Sequence, residues 1–314
     1  MTADTPASHN LLIIGSGPAG CTAALYAARA GLAPLLLRGP EPGGQLTITT
    51  DVENFPGFQA IQGPDLMKHM ENQAEKAGAT LASDTITRVA FKPGAHQLIG
   101  HKTVYTAPTV IIATGASAKW LGLPSETHFR GFGVSACATC DAPFFKNKDV
   151  AVVGGGNSAV EEALFLTHHA RHVYLVHRRD TLRAEHVLQK RLLEHPKITV
   201  VWNHVVAEIQ GVDQPFRAVQ NLRLNNTQTK AEKSLAVQGV FVAIGHTPNT
   251  DFLKGHLQRD SEGYIVGREP GMLTEVEGVF TAGDVRDKVY RQAVTAAGQG
   301  CMAALDAERY LSAI

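Results

Sequence analysis

Residues 135–145 read SACATCDAPFF, two cysteines separated by two residues, with an acid directly after the second. Such a pair supports three chemistries: it can ligate a metal, staple a loop, or carry two electrons as a reversible disulfide. A structural zinc site takes four ligands, usually from two such knuckles. This chain has one knuckle, and its 14 histidines are scattered with no spaced pair nearby, so no metal is expected. A permanent disulfide across so small a loop gains little chain entropy. The redox use is therefore favoured, since a Cys-x-x-Cys pair lowers one thiol's pKa and thiolate is the form that attacks a disulfide. Cys137 and Cys140 are the expected catalytic thiols, and Asp141 is the candidate general acid/base for their proton. Asp141 also fits a plain turn or N-cap acid. Cys21 and Cys301, each inside a run of small residues, read as buried filler.

The surroundings agree with a redox role. MTADTPASHN has neither a basic nor an apolar stretch of a secretory leader, and no run approaches the roughly 18 apolar residues of a membrane span. A cytoplasmic location is expected, where a lasting disulfide would be reduced. Twenty-nine basic residues balance 29 acidic ones, so neither nucleic acid nor a membrane is an expected partner.

A redox pair needs a source of electrons, and the chain contains a repeat suited to supplying one. Residues 11–41, LLIIGSGPAGCTAALYAARAGLAPLLLRGPE, overlay residues 150–180, VAVVGGGNSAVEEALFLTHHARHVYLVHRRD, without a gap. Gly15, Gly17 and Gly20 meet Gly154, Gly156 and Ala159, and both copies read strand, glycine turn, helix, strand. In G-x-G-x-x-G/A the first glycine permits a tight turn and the second lets backbone approach a pyrophosphate. The third, small position lets helix pack on strand, and the helix-start N–H groups then face phosphate. One such motif is a weak signal, but two in the same setting predict two dinucleotide sites. Ser16, Pro18 and Ala19 belong to the first turn, Asn157 and Ser158 to the second.

The ends of the second strands separate the ligands. After HVYLV come His177, Arg178, Arg179 and, shortly after, Arg183, where an NAD site would present an acid to the ribose. Such a cluster suits a 2′-phosphate, so the second site is read as an NADPH site. The first unit ends LLLRGPEPGGQL, offering Arg38, Gly39, Glu41, Gly43, Gly44 and Gln45 along an adenosine or pyrophosphate, with Glu41 slightly past the usual place of a ribose acid. Hydride from a nicotinamide needs a relay to a disulfide, and a flavin is the usual one. Apolar strands ending in glycine recur at 109–116, 239–246 and 278–284, and a helical run covers about residues 292–311. The expected fold is α/β, with two Rossmann-like (doubly wound, three-layer) dinucleotide-binding domains, the second inserted in the first. Residues 1–118 and 246–314 form the FAD-binding domain; residues 119–245 form the NADPH-binding and redox-disulfide domain.

The ordered set GSGPAG, EPGGQL, VENFPG, IIATGA, SACATCD, GGGNSAVEEAL, HRRDTLRAE, VAIGHTPN, GVFTAGD and YRQAVTAAGQGCMAALDAERYL resembles the bacterial-type, low-molecular-weight thioredoxin reductases over roughly residues 10–312. That resemblance implies FAD, NADPH, a homodimer and thioredoxin as the protein substrate. It assigns Asn54, Gly283, Asp284, Arg291, Gln292 and Ala293 to the FAD site beside the residues above, and Gly245 to the NADPH site. It also makes Cys140 the flavin-side thiol and Cys137 the one that attacks thioredoxin. Four positions depart from the pattern: Ala142 and Pro143 where glycine and an aromatic are usual, Asn157 where an acid is frequent, and Phe55 where tryptophan is. Nicotinamide and disulfide, both on the inserted domain, must take turns at one flavin, so rotation about residues 117–120 and 244–248 is expected. A peroxidase-system reductase, a dithiol oxidase and a non-enzymatic redox sensor are the alternatives. The arginine cluster argues against the oxidase, which has no need of NADPH.

Overall fold

Leu11–Ile14 is buried at all four positions, which a strand can be only when both of its faces are covered. The computed structural model describes residues 7–48 and 51–314, and it divides into two compact units, residues 1–117 with 247–314, and residues 118–246. The first unit is built on a parallel sheet in the order Val279–Thr281, Thr109–Ile112, Leu11–Ile14, Leu35–Leu37, Thr80–Ala82. In chain order this is 5-4-1-2-3, so strand order reverses between the first and fourth strands, the point where α/β sheets bind ligands.

The period-two alternation of a strand sorts the core. Leu11, Ile13, Leu36 and Ile111 pack on the helices Pro18–Arg29, Gly63–Lys76 and Ala293–Leu311. Leu12, Ile14, Leu37 and Ile112 face the other way, onto Val89, Leu98 and Tyr105 of the strands Ile86–Ala90, His96–Gly100 and Val104–Ala107. The third layer is thus a second sheet, antiparallel across these three strands, not a second set of helices.

The second unit repeats the plan. Its parallel sheet runs Val134–Ser135, Gly239–Ala243, Asp149–Gly154, His172–Val176, Ile198–Val201. Val150, Val152 and Leu175 pack on helix Asn157–Leu166 together with Leu192 of helix His186–Leu193. Ala151, Val153 and Val242 pack on Ile209, Leu222 and Leu235 of the antiparallel strands His204–Val212, Ala218–Asn226 and Glu232–Ala236. The internal repeat in the sequence is therefore a repeat of all three layers. The chain passes between the units through Ala116–Ala118 and His246–Pro248, which pair as a two-stranded ribbon. Among the described residues no helix is long and apolar enough to cross a membrane.

Within the first unit's strand-side core His96 is fully buried. Burial holds its imidazole below the ordinary value, against the opposing influence of Glu277. The unfolded chain binds the proton more readily, so stability is lost as pH falls below the unfolded value near 6.5. A His96→Leu protein is expected to lose less of its thermal midpoint between pH 7 and pH 5 than the wild type, by about 1–3 °C in differential scanning calorimetry.

Candidate active site

In the first unit the glycine turn is shaped by what lies under it. Gly15 has φ +102°, and a methyl group there would stand 2.4 Å from the Ala113 carbonyl oxygen. One on Gly20 would collide with the Gly15 carbonyl, while one on Gly17 would point into open space. Only the middle glycine has its missing side chain on the free side, which is where a pyrophosphate needs backbone to come close. Gly17 caps helix Pro18–Arg29 with no side-chain hydrogen bond, leaving the first N–H groups turned outward.

Tertiary contacts gather the remaining residues around that turn. The buried Ser16 hydroxyl accepts the Gly43 N–H at 2.9 Å and donates to the Arg38 carbonyl at 3.4 Å. A methyl group on Gly44 would lie 3.7 Å from the Gly17 Cα, and one on Gly283 would lie 2.9 Å from the Ala19 Cβ. Asn54 Nδ2 donates to Gln292 Oε1 at 3.3 Å although 238 residues separate them. Arg38, Gly39, Gly43 and Gly44 therefore share one cradle with Ser16–Gly20 and Gly283. Glu41 is exposed, and its backbone carbonyl accepts the Gly44 N–H. Gln45 lies in the first turn of the 3-10 segment Gly44–Ile48, and Ala293 opens the last helix behind Gln292, which caps it reciprocally with Thr295.

Asp284 is half-buried and accepts no hydrogen bond from any described residue. Burial, and then the Asp287 carboxylate, push its carboxyl up to about 7, while Arg291 pulls the other way. Arg291 adopts φ +48°, a left-handed conformation that costs a non-glycine residue roughly 1 kcal/mol. A half-buried carboxyl without a donor fits a ligand that brings hydroxyl groups, as a flavin's side chain does. Two further residues support the cradle without being evident in the sequence. Gln299 accepts the Gly283 N–H at 2.9 Å, and Glu71 pairs with Arg38 at 3.4 Å. Gln299 is the polar break in the small-residue face of the last helix, which is the signal that could have found it. Cys21 is buried and burial raises its thiol, in keeping with filler; Cys301 is half-buried.

The second unit forms the same turn with different walls. A methyl group on Gly154 would stand 2.4 Å from the Ala243 carbonyl oxygen and 2.6 Å from the Ala159 Cβ, and one on Gly156 would again meet nothing. Asn157 and the half-buried Ser158 open the helix behind it. The Arg183 N–H donates to the Gly155 carbonyl at 2.7 Å, and Leu182 and Ala184 are buried, so the basic segment wraps the turn. Arg178, Arg179 and Arg183 are exposed, and none is in an ion pair among the described residues. Gly245, at φ +105°, lies just past the strand Gly239–Ala243.

Two residues expected at the phosphate have other duties here. His177 is only 5% exposed, with Nδ1 2.8 Å from the Gly154 carbonyl and Nε2 2.9 Å from the Thr181 carbonyl. With both ring nitrogens close to carbonyl oxygens and the ring under Gly155, it braces the loop from beneath. The Asn157 side chain accepts the Glu185 N–H at 2.9 Å, joining the glycine turn to the next helix.

The cysteines lie on this same unit. Cys137 and Cys140 form a disulfide with a Cα–Cα distance of 5.3 Å across the short helix Ala138–Asp141. Ala138, Ala142 and Phe145 are buried with Val150, Val152 and Phe241. Gly239 makes room for this, since a methyl group there would stand 2.4 Å from the Phe145 ring. Pro143 is exposed and falls in the first turn of the 3-10 helix Ala142–Phe145, where a missing N–H leaves nothing unpaired. The Ala142-Pro143 departure is thus accommodated locally. Both cysteines and Asp141 are half-buried. Among the described residues no group of three or more His, Cys, Asp or Glu is placed to hold a metal.

Two dinucleotide folds and a two-cysteine disulfide define a nucleotide-dependent disulfide oxidoreductase. The chain matches the pyridine nucleotide-disulphide oxidoreductase family over residues 9–300. It is 56% identical to a thioredoxin reductase of Rickettsia conorii, covering 96% of this chain and 98% of that one. It is 50% identical to one of Coxiella burnetii, covering 98% of each. Among solved structures, the thioredoxin reductase of Streptococcus pyogenes superimposes with a TM-score of 0.93 at 42% identity, covering 99% of this chain and 100% of that one. The chain belongs to the pyridine nucleotide-disulphide oxidoreductase family and, within it, to the thioredoxin reductases. It is an NADPH-dependent oxidoreductase whose cofactors are FAD and NADPH.

The Asp284 carboxyl gives a pH test of the first cradle. Its folded value near 7 lies above the unfolded 3.8, so the wild type is penalised progressively as pH rises through that interval. In the flavin-free protein Asp284→Asn is expected to raise the thermal midpoint more at pH 8 than at pH 5. The difference is about 1 kcal/mol after solvent screening, or roughly 2–4 °C by calorimetry.

Proposed function

We propose that the chain transfers reducing equivalents from NADPH, through FAD and the Cys137–Cys140 disulfide, to oxidised thioredoxin. The observation that carries this reading is the disulfide itself, anchored on the unit that also holds the arginine-rich dinucleotide turn. FAD, when bound, supplies the two-electron relay between nicotinamide and disulfide. Gly15–Gly20, Arg38–Gln45, Asn54, Gly283, Asp284 and Arg291–Ala293 hold it, with Arg291 placing positive charge near the flavin. Gly154, Gly156, Ser158, Ala159 and Gly245 receive NADPH, and Arg178, Arg179 and Arg183 bind its 2′-phosphate.

In the reduced protein Cys137 attacks a partner disulfide. A bond forms from its sulfur to one partner sulfur, and the other partner sulfur leaves as thiolate. Cys140 then attacks Cys137 Sγ, restoring the internal disulfide and releasing the dithiol partner. Asp141, next to Cys140, handles the proton. The protein acts in the cytoplasm and as a homodimer. Val294, Met302 and Leu305, exposed along one face of helix Ala293–Leu311, support the dimer as a surface for a second copy. Sedimentation equilibrium is expected to return twice the chain mass for the wild type and a shift toward the monomer for Met302→Glu.

The wild type, mixed with NADPH and oxidised thioredoxin, is expected to turn over, and Cys140→Ser to stop while keeping its flavin. Failure of the wild type to reduce thioredoxin sinks the reading. Replacing Arg178 and Arg179 together by alanine should raise KM for NADPH about 10- to 100-fold and leave KM for NADH nearly unchanged.

A further inference from the structure

Ser135 ends the edge strand Val134–Ser135 of the second unit's parallel sheet, paired in register with Phe241. It is 8% exposed, and its hydroxyl is turned onto Cys137. Ser135 Oγ accepts the Cys137 N–H at 3.0 Å and donates to the Cys137 carbonyl at 3.4 Å. A hydroxyl that grips both backbone groups of a residue two positions on fixes that residue's orientation. Cys137 is held extended, at φ −143° and ψ 100°, and its sulfur takes the Cys140 N–H at 3.2 Å. Cys140 Sγ receives no hydrogen bond from any described residue. The two sulfurs of the pair are therefore unequal, and the inequality depends on how Cys137 is held.

We propose that Ser135 is a positioning residue for disulfide exchange: it keeps the Cys137 sulfur within reach of the Cys140 N–H and so makes Cys137 the more acidic thiol of the reduced pair. This rests on the reading of Cys137–Cys140 as the exchanging disulfide. The hydride of NADPH brings two electrons and one proton: the electrons break the Cys137–Cys140 bond, and that proton leaves one thiol and one thiolate. A backbone N–H donates more strongly to a thiolate than to a thiol, so the sulfur that has the donor keeps the negative charge. That sulfur is Cys137, and thiolate is the attacking form. The charged groups on the packed elements are Asp141 in the same turn, Glu161 and Glu162 on helix Asn157–Leu166, and Lys146 and Lys148 after the 3-10 helix, Lys148 lying over the Phe145 ring. Val150, Val152 and Phe241 of the packed strands are apolar. These charged groups are unchanged by substitution at Ser135, so a comparison of variants isolates the hydroxyl.

The test is the alkylation rate of the reduced holoenzyme by iodoacetamide as a function of pH, assigned to Cys137 or Cys140 by peptide mass spectrometry. In the wild type Cys137 is expected to react with the lower apparent pKa. Ser135→Ala should shift its profile toward higher pH and slow alkylation at neutral pH about five-fold, the worth of one hydrogen bond. Ser135→Thr, which keeps the hydroxyl, should restore it. Should Ser135→Ala not fold, as judged by flavin content, Ser135→Gly gives the same comparison. An unchanged Cys137 profile in a flavin-replete hydroxyl-free variant, or a Thr variant that behaves like Ala, overturns the proposal. Thioredoxin turnover in the same preparations reports separately on the function. A Ser135 effect without thioredoxin reduction keeps the positioning role and removes that substrate.

Discussion

A backbone crossing sets the shape of both units. The first glycine of each fingerprint passes beneath a carbonyl at the end of the neighbouring parallel strand so closely that any side chain would stand 2.4 Å from oxygen, at Ala113 in one unit and Ala243 in the other. No rotamer relieves contact with a backbone atom, so glycine is obligatory there. The crossing lies at the reversal of strand order, and it brings the helix start to the carboxyl edge of the sheet. Each cradle is a consequence: Gly17 and Gly156 are left with their open side outward, and Gly20 and Ala159 stay small so that the helix can seat.

On that common base the units diverge through the segments that fold back onto the turn. In the first, Ser16 draws in the Arg38–Gly43 loop and Gly283 draws in the end of the last strand, placing Asp284 and Arg291 beside it. In the second, the backbone of Arg183 reaches over Gly155 while three guanidinium groups stay exposed. A half-buried carboxyl held near neutrality and a set of unpaired arginines are opposite electrostatic environments. They suit a ligand presenting hydroxyls and one presenting a phosphate.

The disulfide depends on the second crossing in a less direct way. Its short helix is held by Ala138, Ala142 and Phe145 on the same strands that form the nucleotide turn. Phe145 fits only because Gly239 begins the strand Gly239–Ala243 without a side chain. The cysteines stay half-buried on a rigid base, as a group must that gives electrons to another protein after receiving them within its own.

The sequence alone determined the two glycine turns, the arginine cluster and the Cys-x-x-Cys pair, because each is a local pattern whose spacing carries its chemistry. The nesting of one unit in the other was legible too, from strands that end in glycine far along the chain. Tertiary structure decided which residues converge on those patterns. Asn54 meets Gln292 and Gln299 meets Gly283 across stretches with no periodicity to announce them. It also decided against an exposed role for His177, whose ring is buried beneath Gly155 with both nitrogens on carbonyls. The third layer, strands where helices were equally compatible with the burial of Leu11–Ile14 on both faces, was settled the same way. A continuous apolar run states that both faces are covered, and only the fold of the remaining chain determines by what.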